Sequence, residues 1–208
     1  MRRSKRHRLL ATASLAAVIL ALPSCGPDPT QPDPNYEDIR VESFDLIDTA
    51  GEPTDETILE GHYTVVDFIF TNCPIYCPTM AVSMKRVQDQ TWDTDARLLS
   101  ISVDGVNDTP EVLDAYADAI GADRDRWTFL TGDRDEVRTL AESQFKFGVV
   151  EDPSRQIQTR SGDVMDFIDH PTRLILVGPD LQVLGTYSYN DPARIDALIA
   201  RIRTIARD

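Results

Sequence analysis

Eight residues, Tyr63-Thr64-Val65-Val66-Asp67-Phe68-Ile69-Phe70, run straight into Thr71-Asn72-Cys73-Pro74-Ile75-Tyr76-Cys77-Pro78-Thr79. An apolar run of this length, bounded by turn residues, reads as a buried strand. Met80, Val82, Met84 and Val87 then recur at helical spacing, which predicts a helix to about Gln90. A strand, two cysteines and a helix in immediate succession leave few folds open. If the chain is helical or nearly so from Pro74, the Cys73 and Cys77 α-carbons lie roughly 6 Å apart, four rises along one face. That is inside the disulfide window of about 4.4 to 6.8 Å. The same spacing lets two thiolates grip one soft metal ion, and a helix N-terminus beside them lowers thiol pKa values. Two buried cysteines packing as small hydrophobes, or a structural disulfide, are the plainer alternatives.

The remaining chain supplies the partners of such a unit. Residues 41–46 alternate like a half-buried strand and residues 49–53 form a turn. Residues 98–103 form the next strand. Asp108-Thr109-Pro110-Glu111 then opens a helix with a cap and an early proline, and Gly121 ends it. A short strand at 127–130, a helix at 134–143 and a loop or hairpin at 162–169 follow. Residues 173–177 and 181–187 flank the turn Gly178-Pro179-Asp180 as a hairpin. Ile195, Leu198, Ile199, Ile202 and Ile205 form the stripe of a terminal helix that starts at Pro192. This order predicts an α/β, thioredoxin-like fold with a central mixed sheet flanked by helices, one domain over residues 37–208.

The first 24 residues read as a secretory signal. Arg2, Arg3, Lys5, Arg6 and Arg8 precede an uncharged apolar stretch too short for a comfortable membrane span. Leu22-Pro23-Ser24-Cys25 looks like a lipobox, with Cys25 as the lipid-modified mature N-terminus. Pro27, Pro29, Pro32 and Pro34 make residues 25–36 an extended tether. The domain is thus expected on the extracytoplasmic face of a bacterial membrane, held by a lipid anchor. With Cys25 lipidated, Cys73 and Cys77 are the only thiols left in an oxidising compartment. They can pair with each other, with a metal or with another protein, and no four-cysteine zinc site can form. The formal charge of −14 becomes −19 without the five basic residues before Cys25, which excludes nucleic acid as a partner.

His170, in Asp169-His170-Pro171-Thr172, stands just before the hairpin, at the sheet end where the thiols lie. Two thiolates and an imidazole suit copper(I) and can hold copper(II); zinc with an open position is the competing reading. Asp169 is a candidate second partner that orients the imidazole. His62, beside Gly61, reads as a loop histidine, and Met80 and Met84 as core.

The segments Thr71 to Thr79, Ser102-Val103-Asp104 with Asp108-Thr109-Pro110-Glu111-Val112-Leu113, Trp127-Thr128-Phe129-Leu130-Thr131-Gly132, and Asp169-His170 ahead of Gly178-Pro179-Asp180 resemble the SCO/SenC family of copper-handling proteins. The resemblance spans about Val41 to Ile205. It departs at Pro171, where a small hydroxyl residue is usual, and at residues 105–107, where a proline-containing turn is usual. It implies one copper ion held by Cys73, Cys77 and His170. It further implies a metallochaperone for the binuclear copper centre of cytochrome c oxidase subunit II, delivering copper or reducing that centre's cysteines. Other extracytoplasmic copper carriers or thiol reductants are further expected partners.

The competing reading is a thiol–disulfide oxidoreductase using Cys73 and Cys77 as catalytic pair and reversible disulfide. Such an enzyme needs no His170, and the three intervening residues differ from the thioredoxin-type CxxC. A peroxiredoxin-like peroxidase is disfavoured, because Phe70 and Val66 stand where its threonine and proline belong.

Overall fold

A computed structural model describes residues 28–159 and 161–206; the expected signal peptide and Cys25 lie outside them. Among the described residues, nine strands and four α-helices follow one another as β1 (Asp45–Asp48), β2 (Pro53–Asp55), β3 (Thr64–Ile69), α1 (Cys77–Gln90), β4 (Arg97–Ser102), α2 (Pro110–Ile120), β5 (Trp127–Thr131), α3 (Arg134–Thr139), β6 (Val150–Gln158), β7 (Val164–Asp169), β8 (Arg173–Val177), β9 (Val183–Ser188) and α4 (Pro192–Ile205). Seven strands form one sheet in the order β2-β1-β5-β4-β3-β8-β9. Strands β3, β4 and β5 run parallel, while β1 lies antiparallel to β5 and β8 antiparallel to β3. This is the mixed, helix-flanked sheet that the sequence predicts.

Every residue of β3 is buried, as a central strand covered on both faces requires. The adjoining β4 and β8 contribute Leu98, Leu99, Ile101, Leu174 and Leu176 to the same core, and β5 adds Phe129. From α1, Met80, Met84 and Val87 pack inward. Val82 does not; it is exposed. In α2, the Thr109 hydroxyl caps the first turn by accepting from the Val112 amide, and Gly121 ends it at φ 71°.

Three differences from the sequence reading have physical causes. The strand expected at 41–46 is displaced to β1, because Val41 and Phe44 are buried in an irregular segment pinned by Val41 N–H to the Leu181 carbonyl. The helix expected at 134–143 is α3 followed by a π-turn, Leu140–Gln144. The proline-rich stretch expected as a free tether is, from Pro29 onward, bound to the domain. The Arg201 guanidinium donates to the carbonyls of Pro29 and Gln31 and to Asp33, whose own amide bonds the Leu184 carbonyl.

Candidate metal centre

The thiol segment leaves the C-terminal end of β3 and turns at once, with the Cys73 amide bonded to the Phe70 carbonyl at 3.1 Å. The helix starts at Cys77, so Cys73 sits in the turn and Cys77 is the first residue of α1. In the turn, the Tyr76 amide donates to the Cys73 Sγ at 3.4 Å.

These contacts set the two thiols apart. The pKa of Cys73 is lowered, first by the hydrogen bond from Cys77, then by His170 and by the amides of Cys77 and Ile75, against an opposing cost of burial. Cys77 is raised, because its proton is committed to Cys73, because it is buried, and because the neighbouring thiolate repels a second negative charge. The pair therefore holds one thiolate and one thiol near neutrality. Both are free cysteines here.

His170 enters from the crossover between β7 and β8 and is buried with both thiols. Its Nε2 lies 3.7 Å from Cys77 Sγ and its Nδ1 lies 3.1 Å from the Pro171 carbonyl. A carbonyl only accepts, which places a proton on Nδ1; in the neutral ring the Nε2 lone pair then faces the sulfurs, and in the protonated ring Nε2–H donates to the Cys73 thiolate. The ring packs edge-on to Phe70, with centroids 5.5 Å apart, and Phe70 packs edge-on to Phe167. One ligand atom from each of Cys73, Cys77 and His170 lies within 4.8 Å of the others, and this is the cluster of metal-binding side chains found among the described residues.

Asp169 does not orient that ring. Neighbouring residues at a strand end point to opposite sides, and its exposed carboxylate pairs with Arg155 at 2.5 Å. The Pro171 carbonyl takes the orienting role instead. His62 lies away from the centre, 3.8 Å from Asp95, and Met80 and Met84 are fully buried. The sequence reading missed Asp67, buried in the middle of β3. Burial raises its pKa from 3.8 to about 7, while the Ser100 hydroxyl and the charge of His170 pull it back. A carboxylate inside an otherwise apolar strand was the available signal. A groove of about 490 Å³ between α1 and α2, lined by Pro78, Ala81, Val82 and Tyr116, reaches both thiols from outside.

Fold and centre together define a thioredoxin-like protein whose paired thiols share a pocket with one imidazole. Residues 32–207 match the family model described as SCO1/SenC, and the chain belongs to that family. The SCO1 protein homolog of Bacillus subtilis is 32% identical over 190 residues, covering 90% of this chain and 92% of its own. The solved structure of BsSco, described with a disulfide switch and as a member of the Sco family of cytochrome c oxidase assembly proteins, superposes with a TM-score of 0.66 at 31% identity, over 83% of this chain and 95% of that one. The copper-bound structure of Bradyrhizobium japonicum ScoI shares the fold, with a TM-score of 0.62 at 24% identity over 78% and 98% of the two chains. Copper is the metal that structure holds, and the buried sulfur–sulfur–nitrogen set here suits it.

Proposed function

We propose that this protein is a copper carrier for cytochrome c oxidase assembly, holding one copper ion as cargo on Cys73, Cys77 and His170. The observation that carries the reading is the convergence of those three donor atoms, from two distant segments, within 4.8 Å in a buried pocket. Soft thiolate sulfur supplies most of the affinity for copper(I), and the Nε2 lone pair completes a set able to hold copper(II). Loading displaces the proton of Cys77, so uptake releases acid. The acceptor is the binuclear copper centre of oxidase subunit II, whose cysteines compete for the ion. Lipid modification at Cys25 holds the carrier on the extracytoplasmic face of a bacterial membrane, where that centre is assembled. Among the described residues no helix is long and apolar enough to cross a membrane.

The test is anaerobic copper(I) titration of the reduced protein. One ion per chain is expected in the wild type, with tight binding lost in Cys73→Ser and in Cys77→Ser. No stoichiometric binding, or binding indifferent to both serines, refutes the carrier.

The unequal thiols support a second reading, reduction of the acceptor's disulfide. The Cys73 thiolate attacks one sulfur and forms a mixed disulfide. Cys77 then gives up its proton and attacks Cys73, releasing the acceptor as a dithiol with two electrons gained. The carrier is left as a Cys73–Cys77 disulfide and needs an external dithiol to reset it.

A further inference from the structure

Asp108 belongs to none of the groups considered so far, and the sequence reading takes it only as part of a helix cap. It is wholly buried. Its Oδ2 accepts from the Thr71 amide at 2.9 Å and from the Ser102 hydroxyl at 2.6 Å, and its Oδ1 accepts from the Thr71 hydroxyl at 2.5 Å. Taking a carboxylate out of water costs several kcal/mol unless charge-assisted hydrogen bonds offset it. Capping does not demand that cost here, since Thr109 already caps α2. The carboxylate is directed instead at Thr71, two residues before Cys73, and holds both polar groups of that residue.

Position passes from Thr71 to the thiol through a closed turn, because the Cys73 amide bonds the Phe70 carbonyl. The same loop also touches the other arm of the centre. Asp104 holds the Asn107 amide at 2.8 and 3.0 Å, and that amide contacts the Met165 sulfur at 3.8 Å, in the strand that ends just before His170.

We propose that Asp108 is a positioning residue for the centre: by clamping Thr71 it sets where Cys73 stands relative to Cys77 and His170. The copper arm of the test rests on the carrier reading, and the disulfide arm does not. Thr71→Val replaces the hydroxyl with a methyl of similar shape, and Thr71→Ser restores the hydroxyl. Asp108→Asn keeps the shape of the side chain but turns an N–H donor toward donors. Each purified protein is measured for its copper(II) thiolate charge-transfer band and for its dithiol–disulfide equilibrium constant against glutathione, with circular dichroism to verify the fold.

Thr71→Val should shift the band and change the equilibrium constant by about threefold or more, the scale of one lost hydrogen bond. Thr71→Ser should match the wild type, and Asp108→Asn should exceed Thr71→Val. If Asp108→Asn fails to fold, the two threonine variants decide. Thr71→Val indistinguishable from wild type in both readouts, or Thr71→Ser displaced as far as Thr71→Val, overturns the proposal. A wild type that binds no copper in either oxidation state refutes the carrier instead, and the equilibrium constants still decide the role of Asp108.

Discussion

The Nε2 of His170 stands 3.7 Å from the Sγ of Cys77, although 93 residues separate them in the chain. Sheet order brings them together. Strands β3 and β8 are antiparallel neighbours, so the turn that leaves β3 and the loop that enters β8 share one end of the sheet. The histidine therefore sits on the short connection between β7 and β8, while Cys77 is fixed at the start of a helix whose inner face is core.

Unequal anchoring predicts unequal ligand roles. His170→Ala should keep copper(I), which two thiolates can hold alone, but lose copper(II) together with its charge-transfer absorption. Paired titrations in the two oxidation states, with optical spectra, check this. A copper(II) spectrum unchanged in His170→Ala would remove the histidine from the centre.

The split between the thiols predicts where an alkylating agent reacts. At pH 5 an ordinary thiol, which titrates near 9.0, is essentially inert, whereas Cys73 is held below that value by its hydrogen bonds. Iodoacetamide at pH 5 should add once, at Cys73, entering by the groove between α1 and α2. Cys77→Ala removes the largest of those bonds, so its alkylation profile should move to higher pH. Peptide mapping across a pH series reads both outcomes, and equal labelling of the two thiols at pH 5 would contradict the split.

The anchor has its own test. Cys25→Ala should release the protein from the membrane fraction or leave an unprocessed precursor. Membrane retention equal to wild type, without precursor, would argue against lipidation at Cys25.

The frame of the centre was legible because its residues obey strong local rules. The apolar run into Cys73, the capped start of α2 and the isoleucine stripe of α4 each carry a period or a cap. Strand β6 carries neither. Its Val150–Gln158 segment contains Pro153, has no fully buried residue and bulges between Asp152 and Gln156, so no alternation marks it. It pairs only with β7, in a two-stranded ribbon outside the main sheet. The hydrogen bond from the Tyr76 amide to the Cys73 sulfur was hidden for another reason. It depends on the geometry of the turn between β3 and α1, which spacing alone does not encode. The inward role of Asp108 was not legible, because a helix-start pattern explains an aspartate locally, and only the fold shows that Thr109 caps while Asp108 turns inward.

Asp67 gives the last prediction, which concerns stability and pH. The Ser100 hydroxyl donates to its Oδ1 at 2.6 Å, and the Trp127 indole N–H donates to that hydroxyl at 2.9 Å, so the carboxyl sits in a small buried relay. Burial raises its pKa from 3.8 to about 7. Between those values the folded protein keeps a proton that the unfolded chain has lost. Its contribution to stability is therefore complete below about pH 4 and falls as pH rises through 7. At about 1.4 kcal/mol per pKa unit, the loss is on the order of 4 kcal/mol. Asp67→Asn keeps the acceptor oxygen for Ser100 and has no proton to lose. Urea unfolding of both proteins across pH 4 to 8 should show near-equal stability at the acid end and Asp67→Asn progressively ahead toward pH 8. Taking the difference at each pH cancels the titration of groups common to both. A difference that stays flat, or that favours the wild type more as pH rises, would mean that Asp67 is already ionised in the folded protein at pH 4.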